Sequence, residues 1–178
     1  MNVLSTSLST LEPFGQAHLT ERYVGWLADP EVVRFSEQRF RQHTLESCRE
    51  YWASFAGTPN LFYAIVAKDP ALGHIGNLNV YIDERHGVAD IGILVGERAC
   101  WGKGYGRDAW DAVMRHLLED RRLRKVTGGC AAGNIAMVRI MRRCNMVEDG
   151  RRARHYVYDG EDVDLVYYAA FRKGPNEV

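Results

Sequence analysis

Ile91-Gly-Ile-Leu-Val-Gly-Glu-Arg-Ala-Cys-Trp-Gly-Lys-Gly-Tyr-Gly-Arg-Asp-Ala109 reads as a buried strand, a glycine-rich turn and the first turn of a helix. Apolar residues dominate Ile91 to Val95. Gly102, Gly104 and Gly106 then remove side chains where the backbone must approach something closely. Amides at a helix start point outward and carry partial positive charge. Together these parts form a cradle for a phosphate group. The same spacing also suits a tight strand-to-helix connection that holds nothing, so the surrounding chain has to decide.

Upstream of this stretch the hydrophobic period changes twice. Leu19, Tyr23 and Leu27 recur at helical spacing up to Asp29-Pro30. A second helix starts at Thr44 as N-cap, with Cys48, Tyr51, Trp52 and Phe55 inward, and stops at Gly57-Thr58-Pro59. Between them Glu31 to His43 is a polar and aromatic connection suited to a substrate loop. The period then becomes two, giving strands over 61–68, 74–82 and 88–95. Asp83 to Gly87 is hairpin-length, so the last two are antiparallel neighbours.

Downstream, a helix is expected over 104–120, with Ala109, Ala112, Val113 and Leu117 inward. A strand follows over 126–130, then a helix over 134–144 with Ala136, Met137, Ile140, Met141 and Cys144 inward. Strands over 148–157 and 164–171 flank a turn at Asp159-Gly160. The order describes one mixed α/β domain, mainly antiparallel, with strand–helix–strand in its middle. It runs from 8 to 173, and residues 174–178 read as a loose tail.

Composition narrows the function. Lys+Arg 23 balance Asp+Glu 23, a net charge of +0, and a nucleic-acid binder usually carries a basic excess. A local basic span remains at Arg139, Arg142, Arg143, Arg151, Arg152 and Arg154, either a solvated face or an anion site. Cys48, Cys100, Cys130 and Cys144 lack metal-ligand spacing, so no metal is expected. Reduced thiols, no signal-peptide pattern and no apolar run near ~20 residues point to a cytoplasmic protein without a membrane partner.

Two phosphate-binding folds are set aside. Lys103 is followed by Gly104, so the hydroxyl that a P-loop places after its lysine is missing. A dinucleotide fold needs a parallel sheet, and here the turn follows antiparallel strands. What remains resembles the GNAT family of N-acetyltransferases. Trp101-Gly-Lys-Gly-Tyr-Gly106 after Ala89 to Val95 is similar to that family's Arg/Gln-x-x-Gly-x-Gly/Ala motif, with Trp101 replacing the Arg or Gln. Asn134, ending a strand and opening a helix, matches the family's pantetheine-contacting Asn. Leu19 to Val33 with the glycine turn is most similar to the ribosomal-protein N-terminal and amino-sugar branches.

The resemblance implies a GNAT fold, with about six or seven strands flanked by about four helices. It implies acetyl-CoA as cosubstrate and direct acetyl transfer to an amine. Coenzyme A is expected at Leu94, Val95, Trp101, Gly102, Lys103, Gly104, Tyr105, Gly106, Arg107 and Asn134. Arg143 either reaches the adenosine phosphate or is simply solvated. The Leu94 amide is a candidate oxyanion donor, on a strand that in the family splays from its neighbour, and Gly92 suits that distortion. Asp90, Glu97 and His86 are the candidate bases, Asp90 foremost.

Asn77, Asn79 and Tyr81 share a strand face with one another, as do Asp90, Gly92 and Leu94. Side by side these make either an acceptor groove or a solvent face. Where many relatives have a Tyr acid this chain has Met141, and Tyr105 and Tyr156 are weak substitutes. The first expectation for the acceptor is a nucleotide-linked amino sugar, from the branch similarity and the arginine-rich, aromatic segments 34–43 and 151–158. A protein N-terminus is the alternative, and a non-catalytic acetyl-CoA-binding domain the outside one. Oligomeric state is not legible.

Overall fold

A computed structural model of the chain describes residues 2–173. The loose tail expected over 174–178 lies outside the described residues. The domain is built on an eight-stranded sheet in the order β1-β2-β3-β4-β5-β6-β8-β7. Its strands are β1 (Leu4–Ser5), β2 (Ser9–Pro13), β3 (Leu61–Ala67), β4 (His74–Asp83), β5 (Val88–Val95), β6 (Lys125–Ala131), β7 (Val147–Tyr158) and β8 (Glu161–Phe171). Every neighbouring pair is antiparallel except β5 and β6. That parallel pair is joined through α3 (Tyr105–Arg115), the crossover that parallel strands require. The other helices are α1 (Glu21–Ala28), α2 (Leu45–Ala53) and α4 (Ile135–Arg143).

The sheet carries a core on each face. In β3, Leu61, Tyr63, Ile65 and Ala67 face one core, while Phe62 and Ala64 face the other. Leu78 and Val80 of β4, with Ala89 and Ile91 of β5, join Ala109, Trp110, Val113 and Met141 under α3 and α4. On the opposite face Tyr23, Trp26 and Leu27 of α1 pack with Cys48 of α2 and Phe62. The side chains of Asn77, Asn79 and Tyr81 point to this second face.

The sheet has two more strands than the six read from the sequence. β1 and β2 are short, and β2 is a polar segment closed by Pro13, yet it pairs with β3 along its whole length. Three helical details also differ. Ala136 is exposed, because α4 docks through Met137, Ile140, Met141 and Cys144 while its first turn stands clear. Tyr51 is at the solvent edge, its hydroxyl 3.0 Å from that of Tyr81. α3 ends at Arg115 and continues as a π turn over His116–Asp120. Thr44 caps α2 as expected, accepting from the Ser47 amide at 3.1 Å.

Candidate functional site

The glycine turn folds as two left-handed steps. Gly102 has φ 72° and Gly104 φ 97°, where an L side chain is strained. Gly104 is the N-cap of α3 and offers no side-chain cap. Asp108 donates its amide to the Gly104 carbonyl, so Tyr105, Gly106 and Arg107 open the helix without intrahelical partners for their amides. The one carboxylate in this first turn is turned away. Asp108 accepts from Thr6 Oγ1 and from the Ser7 and Leu8 amides, tying the β1–β2 turn to α3. The positive end of the helix is therefore left for an anion.

Gly106 has a different task. A Cβ there would lie 3.2 Å from Ile140 Cδ1 and 3.5 Å from Val95 Cγ2, so its absence lets α3 seat against α4 and β5. Trp101 donates its indole N–H to the Val95 carbonyl at 2.7 Å, pinning the turn to the strand end. The amides of Trp101 and Lys103 are engaged inside the turn, by Arg98 O and Cys100 O. Of the amides expected from Gly102 to Arg107, that of Lys103 thus already has a partner. Tyr105 is half-buried against the core. The side chains of Lys103, Arg107 and Arg143 are exposed and form no ion pair among the described residues.

The strand before the turn has an open edge. β5 pairs with β4 along its whole length but with β6 only at Val88, Ala89 and Asp90. Beyond Thr127, β6 continues paired to β8 alone. Trp110 of α3, 1% exposed, occupies the parting. A Cβ on Gly128 would lie 2.6 Å from its ring and 3.4 Å from Ile91 O. From Ile91 to Val95 the β6 side of β5 is a free strand edge that an extended chain can pair with. Asn134 caps α4 at the far side of the opening, accepting from the Met137 amide at 3.1 Å.

A cavity of about 320 Å³ lies on the α1/α2 face beside this edge. Asn77, Asn79, Gly92 and Leu94 form its floor, with Asn77 opposite Leu94 and Asn79 opposite Gly92 in the strand register. Tyr23, Ser47 and Tyr51 form the helical wall, and Gln38, Arg41 and His43 the mouth. Among the described residues the lining holds no carboxylate. The polar strand face is thus a covered cavity at one end and a solvent face at the other, where Tyr81 and Asp90 are exposed. The β5 edge meets the cavity at Gly92 to Leu94 and runs into the turn after Val95, and together they hold most of the residues singled out in the sequence.

Two candidate bases separate here. Asp90 stands where β5 and β6 part, its carboxylate 2.7 Å from Thr127 Oγ1. The residue is exposed at the sheet surface, yet the protein packed about its carboxylate crowds out water and raises its pKa, and the Thr127 hydrogen bond partly offsets this. Glu97 instead makes a 2.5 Å ion pair with Arg22 and accepts from the Ala99 amide. The Arg22 guanidinium holds its carboxyl below the usual range, which makes it a weak base; its structural work is to hold α1 to the turn. His86 is exposed in the β4–β5 hairpin, remote from the cavity lining. Met141 is fully buried, so no acid occupies that position. All four cysteines are buried and free, and burial raises each thiol, Cys130 and Cys144 to about 11.

His74 was not singled out in the sequence. Its Nε2 lies 2.9 Å from Asn77 Oδ1 and 3.0 Å from Gly76 O. Two acceptors at one nitrogen require that nitrogen to carry the proton. Burial lowers its pKa to about 4. A folded value below the unfolded 6.5 means the unfolded chain takes the proton first. Stability from this group is full above pH 6.5 and is lost as pH falls toward 4, by on the order of 3 kcal/mol. His18, also lowered by burial, adds to the same slope. Urea midpoints between pH 7 and 4.5 should fall in the wild type and fall distinctly less in His74→Gln.

The "Acetyltransferase (GNAT) domain" family matches residues 9–147. No curated protein matches the sequence. Solved structures share the fold at low identity. A ribosomal L7/L12 alpha-N-protein acetyltransferase in complex with coenzyme A is 16% identical over 96% of this chain and 98% of its own, TM-score 0.82. A ribosomal-protein-S5-alanine acetyltransferase from Vibrio fischeri is 11% identical over 97% of each chain, TM-score 0.81. A spermidine N-acetyltransferase from Vibrio cholerae in complex with CoA and spermine is 15% identical over 92% and 95%, TM-score 0.79.

Proposed function

Because the chain belongs to the GNAT acetyltransferase family, an acyltransferase family whose acetyl donor is acetyl-CoA, we propose that it transfers the acetyl group to a nucleotide-linked amino sugar. The observation that carries this reading is the cavity lining. Carboxamides, hydroxyls and Arg41 face the space beside the β5 edge, and among the described residues no carboxylate does. A polyamine enters as a multiple cation, and desolvating it without carboxylates is costly. A neutral or anionic amine meets no such penalty, and Arg41 at the mouth attracts a phosphate.

The roles follow from position. The amides of Gly104 to Arg107 hold the pyrophosphate, with Lys103 and Arg107 adding charge and Arg143 reaching the adenosine phosphate. The edge of β5 pairs with the pantetheine arm, Asn134 meets that arm from α4, and an amide of that edge, at Ile93 or Val95, stabilises the developing oxyanion, because the Leu94 carbonyl lies against Gly76 of β4 and its amide shares that side. Asp90, which stands outside the cavity lining where β5 and β6 part, takes the amine proton through water, its raised pKa improving it as a base. A thiol of pKa ~8.5 leaves near neutral pH without an acid. The raised thiols argue against an acyl-enzyme, so transfer is direct. The work is that of a single domain over 8–173, in the reducing conditions of the cytoplasm.

Asp90→Asn should lower kcat by on the order of 100-fold with little change in the KM for acetyl-CoA. An undiminished kcat would remove Asp90 from the mechanism. A panel of acceptors with acetyl-CoA, read by thiol release, tests the substrate. Turnover of nucleotide-linked amino sugars above spermidine and peptides is expected. Preference for spermidine would overturn the reading. Preference for a peptide N-terminus would favour the second reading, to which the same carboxamides lend support, since Asn77, Asn79 and Gln38 also suit a peptide unit.

A further inference from the structure

The floor of the cavity holds one polar group without a partner. Asn77 is 5% exposed, and its Nδ2 makes no hydrogen bond among the described residues. The carboxamide cannot turn to relieve this. His74 Nε2, obliged to donate by its two acceptors, holds Asn77 Oδ1 at 2.9 Å. The reversed amide would set an N–H against an N–H. The NH2 group is therefore held on the other side of the carboxamide, just beneath the surface of the cavity that Asn77 lines opposite Leu94, so a ligand oxygen reaches it with a small shift of the lining. A buried donor left unpaired is disfavoured, and a ligand that brings an acceptor relieves it.

We infer that Asn77 selects amines that carry an oxygen on the carbon next to the amino-bearing carbon, by donating Nδ2–H to that oxygen, with His74 as the residue that positions it. This rests on the N-acetyltransferase reading of the cavity. An amino sugar meets the requirement with the hydroxyl beside its amine, and a peptide unit meets it with its first carbonyl. A bare alkylamine of the same shape does not. A site that offers a buried donor rejects a ligand without the matching oxygen, because the donor stays unpaired. Asn79 does not duplicate the role. It is half-buried, and its amide lies over Gly92, where a Cβ would meet Oδ1 at 2.7 Å.

The test compares two matched pairs of acceptors: glucosamine against cyclohexylamine, and alaninamide against isopropylamine. The wild type should favour the oxygen-bearing member of at least one pair by roughly 30-fold or more in kcat/KM. Asn77→Leu should bring that ratio to within about threefold. Asn77→Asp keeps the contact with His74 but removes the donor, and should collapse the ratio likewise. His74→Leu frees the carboxamide and should lower the ratio, while His74→Gln, which can still donate to Oδ1, should restore part of it. Calorimetric affinity for coenzyme A, expected to stay within about threefold, verifies that each variant is folded.

A ratio near one in the wild type, or a ratio that survives both Asn77 variants, overturns the inference while the N-acetyltransferase reading stands. An equal loss of kcat on both members also overturns it, because it makes Asn77 a donor to the acetyl group instead. Selectivity on alaninamide alone keeps the inference and favours the peptide reading of the acceptor. No turnover of any of the amines overturns both.

Discussion

Gly104→Glu is expected to weaken coenzyme A binding by roughly 100- to 1000-fold, measured by calorimetry, and to leave the domain folded. Gly104 is exposed at φ 97°, with only Leu8 Cδ1 near the place of a Cβ, at 3.4 Å. A non-glycine residue there costs roughly 1–2 kcal/mol in left-handed strain. The larger effect is electrostatic. A carboxylate at the start of α3 settles on the amides of Tyr105 to Arg107 and occupies the place of the anion. Apo stability therefore changes little, while a phosphate must displace or face a negative charge. Gly104→Ala separates the two contributions, since it retains the strain alone and should cost roughly tenfold. Affinity that survives Gly104→Glu would remove the turn from coenzyme binding.

Trp110→Ala should be the most damaging core substitution for stability, by about 3–5 kcal/mol in denaturant unfolding. The indole is 1% exposed, and its N–H points to Met146 Sδ at 3.2 Å. It packs on Gly128 at the parting of β5 and β6. Truncation leaves a cavity where the open strand edge is propped. Coenzyme affinity should fall as well, even at a temperature where the variant is fully folded, because β5 and β6 lose the wedge between them. A variant with lowered stability and wild-type affinity would show that the edge stays open without the indole.

The central stretch was legible because several signals coincide in it. Apolar residues, glycines at alternate positions and a helix start follow one another within Ile91 to Ala109, and the structure places β5, two positive-φ glycines and α3 there. The expected face of Asn77, Asn79, Gly92 and Leu94 also formed, since strand period and hairpin length fix which side chains share a side. The splay is different. Gly92 marked a place for it, but its prop, Trp110, lies in α3, where the aliphatic stripe drew attention to smaller neighbours.

Contacts distant along the chain were illegible. Glu97 stood among the candidate bases because its partner Arg22 is 75 residues away and leaves no local sign of the ion pair. His74 read as a strand residue. Its hold on Asn77 depends on the ring's tuck against Phe14, His18 and Trp26, which come from the start of the chain, and on a register shift beside Val66. β2 escaped notice because five mostly polar residues show too little alternation, although its hydrogen bonds to β3 place the start of the chain against the sheet. Burial and pairing across the sheet thus decide which polar residues are free for chemistry, and the pattern of one strand does not carry that information.

The open edge of β5 and the turn that follows it are the centre of this account, and a crystal structure of the protein with coenzyme A tests them most directly. The predicted result is the pyrophosphate on the amides of Gly104 to Arg107, and the pantetheine paired with β5 between Ile91 and Val95 while β6 stays apart. Coenzyme A bound elsewhere, or β6 closed onto β5 beyond Asp90 with the turn empty, would contradict it.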